Sequence, residues 1–231
     1  MKKFWGFLLV IVLMTSCGEY QSLLKSNDYN LVYKKAIEYY NKGDYQRAMN
    51  LLDGVRSVFV GQAKAQNIAY YRAFCSYNMK DYQIASDLFK QFIQTYPESS
   101  FAEECLYMMG FCDYKASPKP RLDQQVTEKA IREFQLYLSR YPYSMRKDKV
   151  NTYMDEMRDK LSYKAYLSAK NYYLREHYKA AVISLQNCLK DYPGSKYREE
   201  IMYMLFVSKY QMAVNLSLIH ISEPTRRSYI S

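Results

Sequence analysis

Glycine and proline are scarce, at 7 and 6 in 231 residues, while 49% of the chain is hydrophobic. That composition excludes a disordered or collagen-like chain and leaves enough apolar surface for packed structure. Histidine occurs twice, at His177 and His220, and no Cys-x-x-Cys or Cys/His cluster exists. A metal centre is therefore not expected. No glycine-rich phosphate loop, no Gly-x-Ser-x-Gly elbow and no recognisable acid/base pair of carboxylates is present, so neither catalysis nor a cofactor is expected. The apolar stretch from Phe4 to Met14 falls short of the roughly 20 residues that cross a bilayer as a helix. The formal charge is +10, but it is spread along the chain with no recognition motif, so nucleic acid is not an expected partner. Tyrosine is the exception to this sparseness, with 27 copies against one tryptophan.

The segment Asp81–Ser99 sets the pattern for the rest. Ala85, Leu88, Phe89, Phe92, Ile93 and Tyr96 follow one helical face, and Tyr96-Pro97 stops the helix because a residue before proline leaves the α region. Glu128–Ser144 and Tyr178–Ser195 repeat the device with Tyr141-Pro142 and Tyr192-Pro193, and Tyr45–Val58 is a copy without proline. Each is preceded by another helical segment: Tyr29–Lys42, Gln66–Lys80, Glu103–Lys115 and Ser162–Arg175. Tight turns join them, with Gly43 suited to a left-handed helix C-cap. Small residues hold one place in each first helix (Ala36, Ala73, Gly110, Ala169) and in each second helix (Ala48, Ala85, Ala130, Ala181). Such positions let helix axes approach closely. Successive second-helix alanines are 37, 45 and 51 residues apart. The excess lies in the loop Ala116–Val126 and in Tyr143–Leu161, whose apolar spacing (Val150, Tyr153, Met154, Met157, Leu161) predicts a helical extension towards Leu174. A fifth pair starts at Glu199, and its second helix is missing. The reading is all-α, a solenoid of about five helix pairs similar to the tetratricopeptide repeat, whose unit is about 34 residues.

Residues 1–16, with Lys2, Lys3 and an apolar stretch, have the form of a secretory signal peptide. Met14-Thr15-Ser16-Cys17 resembles the bacterial lipobox, which makes Cys17 the expected lipid-attachment residue and 17–28 a lipidated tether before a repeat domain at 29–215. Gly18 after the cysteine resembles an outer-membrane address, with the body facing the periplasm. Leu216-Ser217-Leu218-Ile219-His220-Ile221-Ser222-Glu223-Pro224-Thr225-Arg226 resembles the translation of a transposon adapter used in sequencing libraries. No helical period is read across it, and residues 216–231 are set aside as a non-native tail.

Cys75, Cys105, Cys112 and Cys188 read as small core residues. Cys105 and Cys112 are about 10.5 Å apart along one helix, beyond the roughly 7 Å reach of a disulfide; a Cys75–Cys105 bridge remains an alternative in an oxidising compartment. Tyrosines seven apart recur in each first helix: Tyr33 and Tyr40, Tyr70 and Tyr77, Tyr107 and Tyr114, Tyr166 and Tyr173, Tyr203 and Tyr210. That spacing puts each pair on one face, expected to be an inner surface able to take extended peptides ending in aromatics. The candidate groove is Tyr33, Tyr40, Tyr70, Phe74, Tyr77, Tyr107, Phe111 and Tyr114, since Lys170 interrupts the fourth copy. Lys119, Arg121, Arg146, Lys147 and Lys149 form a candidate docking patch for an acidic partner.

The lipobox, the repeats, Tyr-Pro-x-Ser after second helices, Asp123-Gln124 before Thr127-x-x-Ala130, and above all Ala102–Gly110 and Glu128–Ser144 resemble the outer-membrane protein assembly factor BamD family. The resemblance implies a non-enzymatic outer-membrane lipoprotein of the machine that folds β-barrels. Its implied partners are a BamA-type barrel subunit, bound by the C-terminal repeats, other lipoproteins of the machine, and the C-terminal signals of unfolded barrel clients, received by the N-terminal repeats. The alternative is a scaffold of another envelope pathway, in division or peptidoglycan coordination.

Overall fold

The structure, a computed structural model, describes residues 19–222, with side chains through Asn215. Cys17 and the leader lie outside the described residues, as does Pro224. Among the described residues only helices are regular elements: α1 (residues 19–24), α2 (Tyr29–Asn41), α3 (Tyr45–Val55), α4 (Ala63–Asn78), α5 (Tyr82–Thr95), α6 (Ala102–Ala116), α7 (Gln125–Arg140), α8 (Lys147–Leu174), α9 (Tyr178–Asp191) and α10 (Arg198–Ser222). The chain divides into two compact units. Unit 1 holds the described residues up to Ser117 together with Lys129–Met145, and unit 2 holds Pro118–Glu128 and the described residues from Arg146. The all-helical, paired architecture is that of tetratricopeptide-type repeats.

The small-residue positions carry the packing. Ala36, Ala48, Ala73, Ala85, Ala169 and Ala181 are wholly buried where α2 meets α3, α4 meets α5 and α8 meets α9, and Ala130 of α7 is wholly buried too. Gly110 of α6 is the tightest case, since a Cβ built there would lie 2.8 Å from Phe134 Cδ1. Phe134 is itself fully buried. In α10 the equivalent place holds Phe206, which is 71% exposed.

The turns explain themselves locally. After α2, Gly43 takes φ +81°, and the Asp44 N–H reaches back to the Tyr39 carbonyl at 3.0 Å, the Schellman closure of a helix. The same closure follows α4 and α8, through Asp81 to Ser76 and His177 to Tyr172, both at 3.0 Å. There the left-handed residue is Lys80 (φ 68°) or Glu176 (φ 60°), side chains for which that backbone is unfavourable. Tyr-Pro-x-Ser works as a stop and a restart. The Tyr96, Tyr141 and Tyr192 N–H groups bond the preceding helix at 2.8, 2.8 and 3.0 Å. The Ser99 and Ser195 hydroxyls then accept from the N–H of Phe101 and Tyr197, each at 3.2 Å.

Two expectations change and one holds. Residues 19–28 are not a free tether: Leu23 is buried in the core of the first pair, the Tyr20 ring meets Tyr39 edge-on at 6.0 Å, and Lys35 pairs with Glu19 at 3.0 Å. As the apolar spacing predicts, the extension before the fourth pair runs on into its first helix, so α8 spans 28 residues, with Val150, Met154 and Met157 buried. Helical backbone also continues past Asn215 to Ser222, where no period was expected.

Two substitutions test this account by thermal and urea denaturation. Gly110→Ala, which must displace a buried ring, is expected to destabilise by about 1–3 kcal/mol. Lys80→Gly, which relieves the left-handed backbone, is expected to stabilise by up to about 1 kcal/mol.

Candidate functional site

The candidate aromatics of unit 1 lie on α2, α4 and α6. Tyr40 meets Tyr71 at 4.9 Å between ring centroids, and Tyr71 meets Tyr70 at 5.5 Å. Tyr70 meets Phe74 at 4.5 Å and Phe101 at 4.6 Å. Phe74 continues to Tyr77 at 6.4 Å, Tyr77 to Phe111 at 6.2 Å, and Phe111 to Tyr107 and Tyr114 at 5.7 and 6.0 Å. Seven of the eight candidates thus form one chain of ring contacts. Tyr33 packs instead beside Phe59 at 6.1 Å, with Lys64 over its ring.

The hydroxyls are used as clips between successive repeats. Tyr70 donates to Glu104 at 2.8 Å and Tyr166 to Glu200 at 2.7 Å, each spanning 34 residues. Tyr33 makes the corresponding bond with Asn67. Burial, helped by the neighbouring Glu104 carboxylate, pushes the Tyr70 hydroxyl well above the usual phenol range, so it stays a donor.

These placements correct the picture of ten equally presented rings. Tyr107 and Tyr166 are only 7% and 5% exposed; Tyr107 is covered by Tyr137 and Phe134. Tyr203 and Tyr210 are more than half exposed on α10. Concave space is concentrated elsewhere, in a recess of about 520 Å³ lined by Tyr33, Lys34, Ile37, Glu38, Asn41, Asn67, Tyr70, Tyr71 and Phe101. Of the candidates, only Tyr33 and Tyr70 line it. Ile37, Tyr71 and Phe101 escaped the sequence reading, which followed tyrosines seven apart; Phe101 comes from the turn that starts α6.

The basic candidates all fall in unit 2. Arg121, on the inserted loop, lines a recess of about 500 Å³ with Lys164, Leu167, Ser168, Lys170, Asn171 and Leu174; Lys119, Arg146, Lys147 and Lys149 are not among its lining residues. Lys119 and Lys147 are exposed, Arg146 caps the start of α8, and Lys149 sits over the Tyr153 ring. The loop is pinned from within: Gln124 donates to the Lys119 and Leu122 carbonyls at 2.8 and 3.1 Å, and Thr127 to Gln124 Oε1 at 2.7 Å.

The described cysteines are free and buried, and burial pushes the Cys75 and Cys105 thiols up to about 12, which removes nucleophilic character. No group of three or more metal-binding side chains occurs among the described residues. One buried charge cluster does occur in unit 1. Asp113 Oδ2 accepts from Ser86 at 3.0 Å and lies 2.9 Å from Lys129 Nζ, with Glu133 Oε1 at 3.7 Å and Asp87 at 3.8 Å from the same ammonium. Burial, and then the Asp113 carboxylate hydrogen-bonded to it, push Glu133 up to about 8, and its Oε2 has no partner. Glu133 therefore keeps its proton at neutral pH.

Because the folded chain holds that proton and the unfolded chain does not, stability falls as pH rises from about 4.5 to about 8 and levels beyond. Glu133→Gln is expected to flatten that fall, with a higher melting temperature than the parent at pH 8.5 and little difference at pH 4.5. An unchanged slope would show that Glu133 is not the titrating group.

A family model described as YfiO, outer membrane lipoprotein, matches residues 25–220 of the chain. No curated protein matches it. No described helix is long and apolar enough to cross a membrane.

Proposed function

From the premise that the chain belongs to the YfiO family of outer membrane lipoproteins, the BamD family, we propose that it is a lipid-anchored periplasmic scaffold of the machinery that assembles β-barrels in the outer membrane. In this reading Cys17 carries the lipid, and unit 1 receives the aromatic C-terminal signals of unfolded barrel proteins. Lys119, Arg121, Arg146, Lys147 and Lys149 in unit 2 present a basic surface to a BamA-type barrel subunit and its companion lipoproteins.

The observation that carries the client-binding part is the recess of unit 1. Its walls are Tyr33, Tyr70, Tyr71 and Phe101, with Ile37 between them and Lys34 and Glu38 beside it. Aromatic walls give wide, stiff contact area at low entropic cost, and the Lys34 ammonium supplies a charge partner for a chain-terminal carboxylate. At about 520 Å³ the recess has room for one or two side chains, so binding is weak enough for release to the next component.

The docked α1 segment bears on placement. Glu19 is two residues from Cys17, at most about 7 Å of extended chain. A lipid on Cys17 would therefore hold unit 1 against the headgroups, and this confinement raises the local concentration of the recess near membrane-embedded partners.

Fluorescence anisotropy with a labelled barrel-protein C-terminal peptide ending in phenylalanine tests the reading. Ile37→Asp is expected to weaken binding by about tenfold or more, the equivalent of about 1.4 kcal/mol, whereas Ile183→Asp on exposed α9 should leave it unchanged. Equal affinity in both variants removes the recess from the proposal.

A further inference from the structure

The two recesses use the same stripe of their helices. Counted from Tyr33, the α2 wall of the unit 1 recess is Lys34, Ile37, Glu38 and Asn41; counted from the equivalent Tyr166, the α8 wall of the unit 2 recess is Leu167, Lys170, Asn171 and Leu174. Those four places match one for one, so the repeat builds a recess twice. Their chemistry is opposed. In unit 1 the walls are aromatic rings. In unit 2 the matching stripe carries leucines where unit 1 has Lys34 and Asn41, and three cations (Arg121, Lys164, Lys170) surround about 500 Å³.

The cations differ in what they already hold. Lys170 is neutralised by Glu200 at 2.8 Å and also donates to the Tyr166 hydroxyl at 2.8 Å. Lys164 donates one proton to the Leu122 carbonyl at 2.9 Å, which leaves its charge uncompensated. Arg121 is exposed, with its planar set of N–H donors directed to no carboxylate among the described residues. Leu174 is 66% exposed at the edge of the same recess. Two uncompensated cations beside an exposed leucine match an anionic chain that also carries aliphatic side chains.

We propose that the unit 2 recess is a second peptide-binding site, taking an extended acidic segment of a partner protein with leucine or isoleucine between its carboxylates. Arg121 and Lys164 pair with the carboxylates, and Leu167 and Leu174 cover the aliphatic side chain. The site depends on the scaffold reading above only for the partner being a protein, and it is separate from the aromatic recess.

Labelled synthetic peptides alternating glutamate with leucine, and glutamine with leucine, provide the probe, with the full chain and fluorescence anisotropy as readout. The glutamate peptide is expected to bind at least tenfold more tightly than the glutamine peptide at low salt, and to weaken steeply as salt rises. Arg121→Gln and Leu174→Asp should each cost fivefold or more, whereas Lys179→Gln on exposed α9 should change nothing. Melting curves of each variant exclude unfolding as the cause. Equal binding of the two peptides, or no effect of Arg121→Gln, overturns the site. Co-sedimentation with anionic phospholipid vesicles that depends on Arg121 overturns it in favour of a lipid headgroup. Ile37→Asp with the phenylalanine-ended peptide reports on the unit 1 recess alone, so each site can fail without the other.

Discussion

The constraint beneath everything else is the close approach of paired helices at positions with almost no side chain. At Gly110 the margin is gone: even a methyl group would press on the Phe134 ring. Close approach excludes water along the helix seam and brings large side chains from the flanks over it. Phe89, Phe92, Phe134 and Tyr137 are among the largest fully buried residues for this reason. Interiors packed at this density tolerate little change of volume in either direction.

Tyrosine suits what remains. Its ring fills the space beside the seam, and its hydroxyl reaches the next repeat. The bonds Tyr70 to Glu104 and Tyr166 to Glu200 repeat one geometry at a 34-residue interval, and Tyr137 and Ser144 share Glu103 in the same spirit, at 3.0 and 2.7 Å. Phenylalanine would fill the volume but lose the hydroxyl that reaches these carboxylates. Among the described tyrosines, Tyr33, Tyr70, Tyr137 and Tyr166 thus act as clips between segments of the array, while Tyr143, Tyr203 and Tyr210 face open space.

Helix positions, the stops at Tyr-Pro, the small residues and the long α8 were legible because each depends on neighbours within one or two turns. Tyr107 shows where that legibility ends. Its spacing matches Tyr33 and Tyr70, but Gly110 draws α7 so close that Phe134 and Tyr137 cover it. Nothing within α6 alone announces this. Residues 19–28 were misread for a related reason: six helical residues are too few to show a period, and Leu23 is held by tertiary packing against the first pair. Phe101 and Tyr71 were missed because a recess is made by residues from several elements, whereas periodicity describes one element at a time.

The division of labour within a first helix follows. One stripe is committed to the small-residue seam, a second to the tyrosine clips, and changes at either cost stability. The stripe at Lys34, Ile37, Glu38 and Asn41, and its counterpart at Leu167, Lys170, Asn171 and Leu174, lines the recesses, although Lys170 also joins the Tyr166–Glu200 clip and Leu167 packs on the unit 2 core. Those places differ in residue type between the two units while the buried alanines of the seam stay the same. The two units share the buried alanines and the tyrosine–glutamate clip and differ in the residues that line their recesses.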